Sequence, residues 1–253
     1  YSYSPTQSSN NAWSVQQTTD GGYIVCGTSN SNPNGVYLLK IDGNGIEQWS
    51  QKFGGLGFAE GFSVQQTTDG GYIITGSTES FGNLVKDVYL LKTDLNGIEQ
   101  WSKTFGGIDY DEGFSVQQTT DGGYIITGTT ASVVNETTSV YLIKTDGSGT
   151  EQWSNLFTDA IEGFSVQQTT DGGYIIAAGI LIKTDGNGQE QWTSLVSAID
   201  VQQTTDGGYI IVGGTLAANS YSDVCLKKTN SNGIEQWTKT FGGAGEDGGY
   251  SVQ

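Results

Sequence analysis

Apolar and polar residues alternate along this chain in short runs. From Phe62 it reads Phe-Ser-Val-Gln-Gln, with the apolar side chains one residue apart, and then Thr67-Thr-Asp-Gly-Gly71. A period of two puts one set of side chains on each face of a strand. The next run, Tyr72-Ile-Ile-Thr-Gly76, is β-branched and aromatic, which suits a pleated surface. Val88-Tyr-Leu-Leu-Lys-Thr93 is apolar on both faces, so it predicts a strand covered from both sides. Asp94-Leu-Asn-Gly97 turns the chain into Ile98-Glu-Gln-Trp-Ser-Lys-Thr-Phe105. The Asp-Gly, Gly-Gly and Asn-Gly pairs supply the positive φ angles that tight hairpins need. Four strands and three reversals make one antiparallel sheet.

The same unit recurs. Its Asp-Gly-Gly turns centre on Asp20, Asp69, Asp121, Asp171 and Asp206, in steps of 49, 52, 50 and 35 residues. Strand-like sequence with this period indicates a propeller or a β-solenoid. Each sheet has two apolar faces and must stack on neighbours, and a ring of blades does this with only short outer edges. The expected fold is therefore all-β, a five-bladed β-propeller of four-stranded blades forming one domain over 1–253. The blades fall near 13–55, 61–107, 113–157, 163–195 and 200–243. In the fourth, Ala177-Ala-Gly179 leads straight into Ile180-Leu-Ile-Lys183, and the link from Trp192 to Val201 is also short. Both deletions are expected to fall in connections and to spare the strands. Residues 244–253 begin a sixth repeat, or supply a strand that closes the ring or pairs with another molecule. The strand-exchange candidates are Tyr250, Ser251, Val252 and Gln253.

At Val88-Tyr-Leu-Leu-Lys-Thr-Asp-Leu-Asn-Gly-Ile-Glu-Gln-Trp101 the chain resembles the repeat of quinoprotein-like (PQQ-like) β-propellers. In that family a strand, an Asp, a turn Gly and a Trp four residues later form a docking contact between blades. Gly45/Trp49, Gly97/Trp101, Gly149/Trp153, Gly188/Trp192 and Gly233/Trp237 keep that spacing. The whole unit is also similar to tandem repeats of predicted bacterial and archaeal surface proteins. These resemblances imply a propeller in an extracellular or cell-surface setting; they do not imply a quinone, and no cofactor is expected.

Composition narrows the choice of partners. The net charge is −17, from 27 acidic residues against ten lysines, with no arginine and no histidine. Phosphate binding needs cationic side chains, so nucleic acid and anionic membrane surfaces are poor partners. Missing histidine removes the commonest general base and metal ligand. No run reaches the roughly 18 apolar residues of a membrane helix, and no basic, hydrophobic leader opens the chain, so direct membrane insertion is not expected. Starting at Tyr1 without methionine suggests a mature or trimmed form.

Each candidate for chemistry has a plainer alternative. The Asp of each Thr-Thr-Asp-Gly-Gly turn is a cation or catalytic candidate, but it also suits capping of the turn through backbone amides. Asp42-Gly-Asn-Gly-Ile-Glu47 and its four counterparts resemble the start of a calcium loop, yet lack its distal bidentate Glu, so a hairpin turn is expected and no metal. Glu60, Asp109, Asp111, Glu112, Asp159, Glu162, Glu246 and Asp247 recur between blades, which suits solvated links better than a glycosidase pair, and no catalytic residue is assigned. Trp49, Trp101, Trp153, Trp192 and Trp237 are expected to pack between blades. Phe81, Tyr110 and Tyr221 break the repeat consensus and, with Asn83 and Asn135, are the candidates for binding a ligand. Asn135-Glu-Thr137 is the sole glycosylation sequon. The loops Ser29–Gly35, Glu79–Lys86, Ala131–Thr138 and Leu216–Ser222 vary in length and are expected on one face. Cys26 and Cys225 are expected as buried thiols, with a disulfide between the first and fifth blades as the alternative.

The function expected from all this is a non-catalytic extracellular or cell-surface module. It would be structural, with copies of itself as partner joined through terminal strands, or a lectin or adhesin taking a glycan or protein ligand on the variable loops.

Overall fold

The computed structural model describes residues 10–31, 34–55, 57–80, 85–131, 138–160, 162–216 and 222–253. Among them there is no helix, and twenty strands form five four-stranded antiparallel sheets, each built from four consecutive strands. The first sheet holds β1 (Asn10–Gln17), β2 (Tyr23–Ser29), β3 (Gly35–Ile41) and β4 (Glu47–Phe53). The second holds β5 (Ala59–Gln66), β6 (Tyr72–Thr78), β7 (Asp87–Thr93) and β8 (Glu99–Phe105). The third comprises β9 (Asp111–Gln118), β10 (Tyr124–Thr130), β11 (Ser139–Thr145) and β12 (Glu151–Phe157). β13 (Ser165–Gln168), β14 (Tyr174–Ala177), β15 (Leu181–Thr184) and β16 (Glu190–Ser194) make the fourth. β17 (Asp200–Gln203), β18 (Tyr209–Leu216), β19 (Ser222–Thr229) and β20 (Glu235–Phe241) make the fifth. The deletions in the fourth repeat do reach the strands, which shrink to four or five residues because Gly179, at φ 71°, reverses the chain directly after Ala177-Ala178.

The first hairpin of each sheet explains its Asp-Gly-Gly. In Thr18–Gly22, the Gly21 N–H reaches the Thr18 carbonyl at 2.9 Å, and Gly21 takes φ 82°. The second glycine has a different reason. A Cβ at Gly22 would lie 2.3 Å from the Ile41 carbonyl and 2.5 Å from Lys40 Nζ, so only the smallest residue leaves that space free.

Two compact units divide the chain, one up to Gln118 and one from Thr119 onward. In the first, Ile24, Cys26 and Leu38 of the first sheet interlock with Val64, Ile74 and Leu91 of the second, all at most 6% exposed. The second unit has two such layers, one around Leu142, Val166 and Ile176 and one around Ala177, Val201 and Ile211. Cores therefore lie between sheets, as two-faced apolar strands require. β6 and β10 are buried at every residue, and β7 at all but its first. In β3, by contrast, buried and half-buried residues alternate from Val36 to Ile41.

Candidate functional site: the faces of the terminal blades

The joint between consecutive sheets repeats one polar and aromatic arrangement. In the first unit, Trp49 on β4 meets Tyr72 of the next sheet edge to face, with ring centroids 5.8 Å apart. Gly97 lies against the same indole: a Cβ there would be 2.6 Å from Trp49 Cζ3. The second unit repeats this with Trp153 and Tyr174 at 5.8 Å and Trp192 and Tyr209 at 5.9 Å. Gly188 and Gly233 press on those two indoles. Burial pushes Tyr72, Tyr174 and Tyr209 up to about 12, with further repulsion from Asp20, Asp121 and Asp171 respectively.

A second device is the Gln-Gln pair that ends every first strand. Gln16 Oε1 accepts the backbone N–H of Gln66 at 2.6 Å, and Gln66 Oε1 accepts the N–H of Thr19 at 2.9 Å. Each sheet thus both gives and receives a hydrogen bond across the joint. Gln65 with Gln118 and Gln167 with Gln203 repeat the 2.6 Å bond. Sequence reasoning missed this latch, although the dyad stands in all five copies at the end of the first strand.

A third device lies within each sheet. Lys40, Lys92, Lys144 and Lys183, all at most 3% exposed, reach the turn carboxylates of Asp20, Asp69, Asp121 and Asp171 at 2.9 Å. Lys228 does the same to Asp206 at 3.0 Å. Each Nζ also donates to the backbone carbonyl of the following residue. The turn aspartates do cap their hairpins, for Asp20 Oδ1 accepts from the Gly22 N–H at 3.0 Å. Burial opposes ionisation of Asp121 and Asp171, but the threonine hydroxyl, the lysine and the glycine N–H outweigh it and hold both at about 2. The calcium-like segments behave as hairpins too. Asp42 Oδ1 accepts the N–H groups of Asn44 and Ile46, while Glu47 accepts from Ser50.

One cluster breaks the repeat. Lys86 bridges Glu60 and Glu112, each at 2.9 Å, with its ammonium 5.0 Å from the Phe58 ring centroid and 5.3 Å from that of Tyr110. Burial works against the charge on Lys86, yet the two carboxylates overcome it and raise the ammonium above its ordinary range. The expectation of solvated acidic links is therefore corrected here. Asp111 and Glu112 belong to β9 and are 0% and 7% exposed, and Lys86 compensates the buried charge of Glu112. Tyr110, a binding candidate, is 38% exposed and forms one wall of this cluster. Phe81, Asn83, Asn135 and Tyr221 lie outside the described residues. Cys26 and Cys225 are buried free thiols.

The two end sheets depart from the joint pattern. Val64, Val116, Val166 and Val201 occupy one repeat position and are 4–6% exposed, whereas Val15 at that position is 65% exposed. Tyr23 is half-buried where its four counterparts are 1–2% exposed, and a Cβ on Gly45 would meet nothing within 4 Å. On the fifth sheet, Trp237 is 40% and Phe241 57% exposed, against 8–9% for Phe105 and Phe157. Trp101 is half-buried. Tyr250, Ser251, Val252 and Gln253 belong to no strand. They follow a segment held to the fifth sheet by Asp247 N–H on the Ser222 carbonyl at 2.6 Å, and Val252 N–H reaches Asp200 Oδ2 at 2.9 Å.

No protein-family model and no curated protein matches the chain. Solved structures do. A Bacteroides caccae protein of unknown function matches with TM-score 0.60 and 15% identity, over 94% of this chain and 84% of its own. The WD40 domain of Neurospora crassa Pan2 matches with TM-score 0.61 and 10% identity, over 92% of this chain and 66% of its own. A Dyadobacter fermentans protein of unknown function gives 0.60 and 11%, over 88% and 80%. At such identities the likeness is one of fold: the chain is all-β, made of β-propeller blades.

Proposed function

We propose that the protein is a non-catalytic structural module of the cell surface or extracellular space, whose copies join through the faces of their terminal blades. The observation that carries this is the exposure of Trp237 and Phe241, on one end sheet, together with that of Val15 on the other. Within each unit, the corresponding indole is covered by the tyrosine and turn glycine of the next blade, which supports a blade of the same repeat as the partner of such a face. The first sheet carries that pair, Tyr23 and Gly45, with Gly45 facing open space. A contact of one end face with the other is heterologous, so it propagates from copy to copy. The glycine seated on an indole also favours the quinoprotein-like kind of repeat, and the acidic, arginine-free composition suits a surface location.

Light scattering over a concentration series, with negative-stain images of the same samples, tests this. Growing assemblies that Trp237→Ala abolishes are expected. A discrete 26.8 kDa particle at every concentration would overturn the proposal.

A further inference from the structure

The segment after the fifth sheet repeats the contacts by which a first strand sits on the preceding blade. Gly61, leading into Val64 on β5, lies against Cys26 and Val36 of the first sheet, where a Cβ would come within 2.5 and 2.8 Å. Gly163 does the same against Thr127 and Val140 in the second unit. Gly249 lies against Val212 and Val224, the same two repeat positions of the fifth sheet, at 2.5 and 2.8 Å. Three residues further on, the N–H of Val64 reaches Ser14 Oγ at 3.3 Å and that of Val116 reaches Ser63 Oγ at 3.4 Å. Val252 donates to Asp200, which stands at that serine's position. Asp247 likewise matches Asp111: the N–H of Gly107 reaches Asp111 Oδ2 and that of Gly243 reaches Asp247 Oδ2, both at 2.9 Å.

Residues 248–253 thus occupy a first-strand seat and, among the described residues, pair with no second strand. An incoming copy brings its own first strand, β1, for the same seat. That strand fits poorly, because it has Ala12 where the seat holds Gly249, and a Cβ there would come closer to two valine side chains than real Cβ atoms do. β1 is also loosely covered in its own sheet, with Trp13 56% and Val15 65% exposed.

We propose that the joint between copies is a shared blade. Residues 248–253 of one chain stay on its fifth sheet and become the first strand for β2, β3 and β4 of a second copy of this chain, which releases its own β1. Tyr23 and Gly45 of that copy then cover Trp237, and Val252 takes the place of Val15. This is strand addition to an exposed edge, in which backbone hydrogen bonds supply affinity and the alternating side chains supply register. The inference rests on the blade-to-blade reading above and specifies its joint.

The test is sedimentation velocity over a concentration series on the full chain, Gly249→Val and Trp237→Ala, with hydrogen exchange of residues 10–17 in the assembled state. Gly249→Val overfills the seat by pressing on the Val212 and Val224 side chains of the fifth sheet. It is expected to weaken association by about tenfold or more, the size of effect that overpacking by an isopropyl group produces. Exchange in 10–17 should accelerate on assembly, because β1 leaves its partner. If Gly249→Val assembles as well as or better than the parent while Trp237→Ala does not, or if 10–17 stays protected, the shared blade is wrong and blade-to-blade joining stands. A parent chain that never associates removes both.

Discussion

The joint at Trp192 and the face at Trp237 are built from the same repeat residues and differ in what covers them. At the first, Tyr209 meets the indole at 5.9 Å and Gly233 presses on it. At the second, 40% of Trp237 faces solvent. The contrast separates what a residue does for its own sheet from what it does for the joint, which one sequence motif cannot distinguish. A tryptophan on an outer strand contributes little to its blade until another blade arrives.

The strongest way to break the comparison is to truncate both indoles. Trp192→Ala should cost about 2–3 kcal/mol, below the range for a fully buried aromatic because Trp192 is half-buried. Trp237→Ala should cost less than about 1 kcal/mol in the dissociated chain, as exposed substitutions do. Denaturant unfolding of both variants at low protein concentration checks this, and equal losses would erase the distinction. Next come the glycines. Gly45 and Gly233 both have positive φ, 81° and 73°, so alanine at either costs about 1–2 kcal/mol of backbone strain. Only at Gly233 does the new methyl also meet a ring, 2.6 Å from Trp192 Cζ3, which adds about 1–3 kcal/mol of overpacking.

A comparison within the sheets follows. Lys144→Ala leaves Asp121 without the ammonium beside it and should cost about 1–3 kcal/mol. Lys228→Ala should cost less, because the Lys228 side chain is 12% exposed where that of Lys144 is 4%. The smallest effect is with pH. Tyr209, at the closed joint, is raised from 10.0 to about 12, so the folded state favours the neutral phenol. That contribution is fully present below pH 10 and is lost as pH rises toward 12. Thermal melts between pH 9 and about 12 should therefore fall, and Tyr209→Phe should flatten part of that fall. An unchanged slope in the phenylalanine variant would remove Tyr209 as the cause.

The sheets themselves were readable from sequence, because period-two runs and Asp-Gly-Gly or Asn-Gly turns dictate strands and reversals whatever the tertiary setting. Val88–Leu91, apolar on both faces, reported its burial from both sides. Three features were hidden for physical reasons. For Lys40 and its counterparts, only folding shows that the turn carboxylate and a strand carbonyl converge on the ammonium. The Gln-Gln dyad reads as an edge of polar residues until a neighbouring sheet supplies its partners. Val15 and Val64 are the same residue in the same motif, so nothing local could tell that one is open and the other covered. Lys86 was passed over because its partners are remote in sequence and lie on two different sheets, Glu60 on β5 and Glu112 on β9.

The lysine locks also bear on durability outside a cell. Trypsin-like proteases need a lysine or arginine in an accessible, locally unfolded stretch, and this chain has ten lysines and no arginine. Five of the ten, Lys40, Lys92, Lys144, Lys183 and Lys228, are committed to ion pairs beside the turns. The hairpins that would otherwise be nicked first are the ones that hold those side chains, so digestion has to begin elsewhere or wait for a whole blade to open.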